Sequence, residues 1–468
     1  MEIQRNNHKP LGVVTLVMIN IIAIDSLRNL PTNAANGLTL VSFYLIATLF
    51  FFIPCILVTA ELATHYPKTG GVYLWVREAF GPRWGFFTIW LQWIYNVVWF
   101  PTILSFIAVN IGYLINPILA DSKPFIVSLV IVMFVGATFL NCLGMKISAL
   151  ISTLSAVGGT LLPMLIIITL GLCWIFFDHP IALKVNTQNL LPSFATIPNL
   201  AFFVVILFSL MGIEMSAVHA ESVQNPQRDY PQALLYSGFI IVVTLILSSL
   251  AIAFVVPSSQ LNIISGLDQA FGFFLKAFHL DWLMPIAIFL IVLGGFGCMA
   301  AWVIGPTKGV VVAAEDGSAP SWLGYRNQYG APIAVLILQA VIVIVICNLF
   351  IFIKSVNTTY WILSDLTAQL ALIFYIMMFL GAMRLHGRLP AIKNAFRIPG
   401  GPVVGKFVSG IGVLTCIISI LVGFIPPLDI QISNFLYYEI ILICGIFIFI
   451  LPPLAIDYYQ HKTNKNAN

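Results

Sequence analysis

The sequence predicts an all-α polytopic membrane protein of about twelve transmembrane helices, two of them broken. Three observations carry that prediction. Of 468 residues, 60% are hydrophobic and 8% charged, with a mean hydropathy of +1.01, where an ordinary soluble domain carries roughly 25% charged residues. Apolar windows of about 20 residues, the length that crosses a hydrocarbon core, recur along the whole chain. Two of these windows hold what lipid does not tolerate: Asp25 and Arg28 in the first, and Glu214 just after Gly212 in the sixth. Lipid offers no hydrogen bonds, so a broken backbone or an ionisable group at that depth faces protein or a water-filled cavity.

Taken in order, the spans fall at about 11–36, 38–64, 85–116, 124–143, 147–176, 199–222, 232–256, 282–313, 331–352, 359–384, 403–425 and 434–456. The longest gap with polar content, 257–281, contains the amphipathic stretch LDQAFGFFLKAFHLDWL, which reads as a short surface helix. With the N-terminus inside, sixteen of the 21 Lys and Arg fall in inner segments and four in outer ones. The loop before span eleven (Arg384, Arg388, Lys393, Arg397, Lys406) contributes most. That asymmetry places both termini in the cytoplasm.

The first span reads NIIAIDSLRNLPTNAANG, with Asp25, Arg28 and Asn29 ahead of Pro31. The sixth continues into SLMGIEMSAVHAESVQNPQRDY, interrupted at Gly212 and ended by Pro226. Breaks five spans apart are the sequence signature of an inverted-repeat carrier with its site near the bilayer midplane. Residues 11–176 and 199–384 are then the two repeats. Each break frees carbonyls on one side and amides on the other; carbonyls suit an ammonium and amides a carboxylate. An α-amino acid, with both groups on one carbon, is the natural guest.

Several polar residues have two readings. Asp25 and Arg28, at i,i+3, pair with each other, or Arg28 contacts substrate. Glu214 is a packed glutamate beside a glycine kink, or half of a solute site. Glu61 reads as interfacial or capping, Asp365 as lying at the outer interface, and His219 as a hydrogen-bonded structural imidazole. Gln92, Trp93, Tyr95, Asn96 and Trp99 are pocket-lining candidates on span three. Gly294, Gly295 and Gly297 ahead of Trp302 suggest close helix packing beside a bulky gate.

The exclusions are broad. There is no HExxH, GxSxG or GxxxxGK[ST] motif, so the common catalytic classes and ATP-driven pumping are not expected. Seven scattered cysteines without a CxxC pair argue against a disulfide framework and a metal site. No basic patch with interleaved aromatics suggests nucleic acid, and no cofactor is called for.

The runs AELAT…GGVYLWV (60–76), FGPRWGF (80–86), SLMGIEMSAVHAESVQNPQRDYP (209–231), AWVIGPTKGV (301–310) and AFRIPGG (395–401) fall in order across nearly the whole chain. Together they resemble the amino acid–polyamine–organocation transporters, and most closely the bacterial glutamate/γ-aminobutyrate antiporters. The resemblance implies ten core helices as two inverted repeats of five, two peripheral helices at 403–456, and alternating access without ATP. It implies Glu214 as the proton-linked glutamate, Trp302 as a gating tryptophan and Tyr375 as a pocket-closing tyrosine. The expected substrate-binding set is Ile24, Asp25, Ser26, Arg28, Ser209, Gly212, Trp302 and Tyr375.

The chain also departs from that pattern. Ile24-Asp25-Ser26-Leu27 replaces a glycine-rich break, and Arg28 stands where the glutamate antiporters have a tyrosine. The short tail 457–468 gives no reason to expect plug-based acid gating. The function expected is secondary amino acid transport in the inner membrane, by exchange or proton coupling, with polyamine or organic-cation transport as the alternative.

Overall fold

The computed structural model describes residues 11–143, 153–183, 190, 197–353, 355–426 and 435–466. Twelve helical units among them are long and apolar enough to cross a membrane. In chain order they are α1 (Val13–Ala34), α2 (Thr39–His65), α3 (Pro82–Ile115), α4 (Lys123–Cys142), α5 (Ser155–Phe176) and α6 (Leu200–Ser222). Then come α7 (Pro226–Val255), α8 (Asp281–Glu315), α9 (Ile333–Phe352), α10 (Val356–Leu385), α11 (Gly401–Gly423) and α12 (Leu436–Tyr458). The chain is an all-α polytopic membrane protein.

Two boundaries differ from expectation. Pro226 does not end the sixth span's helix; it occupies the first turn of α7, which therefore begins six residues before the expected 232. Proline is tolerated there because the first amides of a helix have no intrahelical acceptor. The expected start of span five at 147 lies outside the described residues.

Burial sorts the helices. The breaks of α1 and α6 lie against α3, α8 and α10, through Gln92 and Thr102 of α3, Trp302 of α8, and Ser364 and Tyr375 of α10. α4, α11 and α12 present large apolar side chains outward, among them Phe139, Phe407 and Phe447, as lipid-facing helices do. α8 approaches α5 backbone to backbone: a Cβ on Gly294 would lie 2.1 Å from the Gly159 carbonyl oxygen, and one on Gly297 would lie 2.1 Å from Ser155 Cβ. Glycine at these positions is what brings the two helices together, as the glycine run ahead of Trp302 led us to expect. The amphipathic stretch forms a helix, Gly266–Ala277, between α7 and α8. It packs onto the bundle, with Leu267, Asp268, Phe271 and Phe274 buried on its inner face and Phe273 exposed on the outer one.

Candidate functional site

The break in α1 follows from its sequence. Helix ends at Ile24, Asp25 and Ser26 leave helical geometry, a tight turn covers Leu27–Asn29, and helix resumes at Leu30–Ala34 with Pro31 in its first turn. The carbonyls before the break lose their helical donors. One is satisfied from α8: Trp302 donates its indole N–H to the Ala23 carbonyl at 2.9 Å.

The break in α6 is built on Gly212. Its φ of +120° is open to glycine and costly for other residues. A Cβ there would also sit 2.8 Å from the Trp302 ring. Beyond it, Ile213–Ser222 is wound as a tighter 3₁₀ helix. The Gly212 N–H donates to the Tyr375 hydroxyl at 2.7 Å, and that hydroxyl donates to Glu214 Oε2 at 2.6 Å. Gln92 Nε2 donates to the other oxygen, Oε1, at 3.3 Å. Glu214, Tyr375 and Gln92 are all buried, so α3, α6 and α10 meet in one enclosed hydrogen-bonded cluster.

Between the breaks lies a cavity with about 420 Å³ of unoccupied space, part of it open. The α1 break contributes Ile24, Ser26, Arg28 and Asn29; α3 contributes Tyr95, Asn96 and Trp99; Trp302 forms a wall from α8. Tyr95 and Trp99 pack against Trp302 with ring centres 6.1 and 6.4 Å apart. Of the expected substrate set, Ile24, Ser26, Arg28 and Trp302 line this space, and Asp25 lines a smaller adjoining one with Gly294 and Gly295. Gly212 and Tyr375 lie in the hydrogen-bonded cluster. Ser209 is held by Tyr44, with 3.1 Å between hydroxyls, and donates to the Ile206 carbonyl. Asn29, Phe208, Met211, Cys298 and Thr367 also line the cavity and were not singled out from sequence as site residues. Asn29 and Phe208 flank the breaks and were within reach of that reasoning; Cys298 and Thr367 carried no local signal.

Asp25 and Arg28 do not pair. Asp25 Oδ2 accepts from Thr244 on α7 at 2.8 Å, while Arg28 reaches the other way to Thr102 Oγ1 (3.1 Å) and Ser364 Oγ (3.2 Å). The i,i+3 argument assumed a continuous helix, and the break falls between the two residues. The guanidinium is buried, lies over the rings of Phe208 and Tyr360 at 5.6 and 5.4 Å, and has no hydrogen-bond partner at Nε. Among the described residues it has no carboxylate within ion-pair distance.

Two further expectations are corrected or sharpened. Asp365 is buried within the protein, where Tyr438 of α12 covers it and donates to Oδ2 at 2.5 Å. Glu61 caps no helix end among the described residues and instead ties distant segments: Oε1 accepts the Ile398 N–H from a loop at 3.0 Å, and Oε2 lies 2.5 Å from His386 Nδ1. The AFRIPGG loop is thereby anchored to the end of α2.

At the face where Leu11 lies, several contacts tie the helix ends together. Leu11 pairs with the end of α6, its N–H on the Ser222 carbonyl at 2.7 Å and its carbonyl accepting from Gln224 at 3.2 Å. Thr69 donates to Glu221 at 2.8 Å. Tyr73, on the short helix Val72–Phe80, donates to Asp316 beyond α8, and Arg77 lies 3.5 Å from the same carboxylate. These contacts cross from one group of helices to another.

The comparisons with known proteins point one way. The family model described as amino acid permease matches residues 11–447. An uncharacterised transporter of Legionella pneumophila is 51% identical over 96% of this chain and 97% of its own. A glutamate/gamma-aminobutyrate antiporter of Lactococcus lactis is 28% identical over 97% of this chain and 92% of its own. A protein of the same species named probable agmatine/putrescine antiporter is 26% identical over 84% and 83%. The chain is a transporter and not an enzyme, and it belongs to the amino acid permease family.

Proposed function

We propose that this protein is a secondary carrier of amino acids that bear a free carboxylate, working by alternating access as an exchanger with a proton-linked step at Glu214. The observation that carries this is Arg28. A buried guanidinium without a carboxylate partner is costly, and it lines the cavity between the two breaks. A substrate carboxylate supplies the missing charge and a bidentate partner. The same fixed charge disfavours a polyamine, which brings only positive charge; the amine-carrier reading is accordingly second. The glutamate/γ-aminobutyrate antiporter relative is consistent with this preference, since both compounds in its name are carboxylates.

In this reading residues 11–176 and 199–384 are inverted repeats that rock about the central cavity. The protein sits in the cell's inner membrane with both termini in the cytoplasm, as the basic bias of the loops favours. The contacts of Leu11, Thr69, Tyr73 and Arg77 are then the closed cytoplasmic gate. The test is counterflow in liposomes loaded with each amino acid and each decarboxylation product in turn. Trans-stimulated uptake of carboxylate-bearing compounds supports the reading. Stimulation by putrescine or agmatine alone replaces it with the amine carrier, and no stimulation by any compound rejects exchange.

A further inference from the structure

A second cavity, with about 470 Å³ of unoccupied space, lies on the face opposite the closed gate. It is bounded by the second part of α1, the first part of α6, the first turns of α10, the end of α11 and the start of α12. It shares Arg28, Asn29 and Phe208 with the central cavity, so the two are neighbours with the guanidinium in the wall between them. Asp365 also lines it. Arg28 and Asp365 thus share one enclosure, yet they form no ion pair, and Asp365 has no basic side chain within ion-pair distance among the described residues.

The lining of α10 explains the separation. Tyr360 and Ser364, one helical turn apart, face Arg28: the ring lies under the guanidinium and the hydroxyl accepts from it. Trp361 and Asp365, also one turn apart, face α12, where Tyr438 accepts from the Trp361 indole at 3.3 Å and donates to Asp365 at 2.5 Å. Adjacent rows on one helix therefore hold opposite charges apart. Gly423 at the end of α11 makes room for Gln369 and, beside it, for Asp365: a Cβ there would lie 2.0 Å from Gln369 Nε2 and 3.2 Å from Asp365 Oδ1. A buried guanidinium and a buried carboxyl group, each held by neutral hydrogen-bond partners and neither ion-paired among the described residues, are together stabilised by a guest that carries both opposite charges.

We infer that this cavity is a second binding site for zwitterionic amino acids, with the carboxylate on Arg28 and the ammonium on Asp365. The inference rests on the carrier reading above. It gives α11 and α12 a part in substrate capture. It also gives Arg28 a double duty: the carboxylate stays on the guanidinium while the rest of the molecule passes from the outer cavity to the central one, exchanging Asp365 for the carbonyls freed at the α1 break.

The test is sided exchange in liposomes, with KM measured separately at the two faces for labelled L-glutamate and 4-aminobutyrate. Glutarate, which lacks the ammonium, serves as a competitor. Asp365→Asn is expected to raise KM at the face of this cavity about tenfold or more, the scale of one hydrogen bond to a charged group. KM at the gate face should be unchanged, as should inhibition by glutarate. Ala368→Leu, which fills the cavity without altering charge, should give the same one-sided rise and serves if the Asn variant does not fold. An equal change at both faces, or none at either, in a wild-type background that exchanges normally, overturns the second site and leaves the carrier reading standing. A wild-type protein that exchanges no amino acid overturns both.

Discussion

Tyr375 holds Glu214 and the α6 break in one grip: its hydroxyl donates to Glu214 Oε2 at 2.6 Å and accepts the Gly212 N–H at 2.7 Å. Tyr375→Phe leaves a buried amide and a buried carboxylate each short of a partner. That costs about 1–3 kcal/mol for each unsatisfied group. The variant should unfold at lower temperature than wild type in a detergent-based thermal assay, and Tyr375→Trp should not restore it. An unchanged melting temperature would mean that the hydroxyl is replaceable by water.

Gly212→Ala meets two obstacles together, a φ of +120° and the Trp302 ring at 2.8 Å. Backbone strain of this kind costs about 1–3 kcal/mol. Displacing Trp302 would also take its N–H from the Ala23 carbonyl. We expect reduced stability together with lost exchange. Trp302→Phe, which removes the indole N–H but keeps the ring stack, should lose exchange with a smaller loss of stability.

Asp268 lies outside the membrane spans, on Gly266–Ala277, with neither carboxylate oxygen hydrogen-bonded among the described residues. Burial pushes its carboxyl up from the ordinary 3.8 to about 8. Between those values the folded protein holds a proton that the unfolded chain has released. The stabilisation is therefore full below about 4 and is lost as pH rises towards about 8. Asp268→Asn cannot ionise, so its melting temperature should stay level from pH 5 to 8.5 while that of wild type falls. Parallel curves would place the carboxylate in water or in an ion pair.

The gate contacts make a prediction about conformation. Asp316 receives both Tyr73 and Arg77, so Asp316→Ala should favour opening of the N-terminal face. Val218 packs beneath Gly71, beside that gate. In a cysteine-free background, Val218→Cys should react faster with a membrane-impermeant thiol reagent when Asp316→Ala is also present. Equal rates would remove this contact from the gate.

The twelve spans and both breaks were legible because lipid penalises charge and unpaired backbone so heavily that each exception stands out in the sequence. What was not legible depended on contacts across the chain. The break itself turned Arg28 away from Asp25, which no helical spacing rule could foresee. The cover over Asp365 comes from Tyr438, 73 residues further on, and no local pattern announces it. Glu61 reads as interfacial or capping from its place near the end of α2, and its partners are Ile398 and His386. Pro226 reads from sequence as a stop, yet it opens α7, since proline both ends a preceding helix and suits the first turn of the next one.

The proton-linked role proposed for Glu214 is tested by Glu214→Gln, which keeps shape and an acceptor for Tyr375 but cannot titrate. Initial exchange rates from about pH 4.5 to 8, a range that brackets ordinary and strongly shifted carboxylates, should vary in wild type and lie flat in the variant. A well-folded Gln variant with the wild-type profile would return Glu214 to a packing role.

The central claim is that Arg28 is unpaired because the substrate brings its carboxylate. Arg28→Lys keeps the positive charge and loses the planar fork that holds a carboxylate at two points. The deciding measurement is KM for exchange of a carboxylate-bearing amino acid by wild type and Arg28→Lys at matched protein levels in liposomes. The account predicts a rise of about tenfold or more, the value of one charged hydrogen bond, with no gain in putrescine or agmatine transport. An unchanged KM in the Lys variant, or a wild-type protein that prefers amines without a carboxylate, would contradict it.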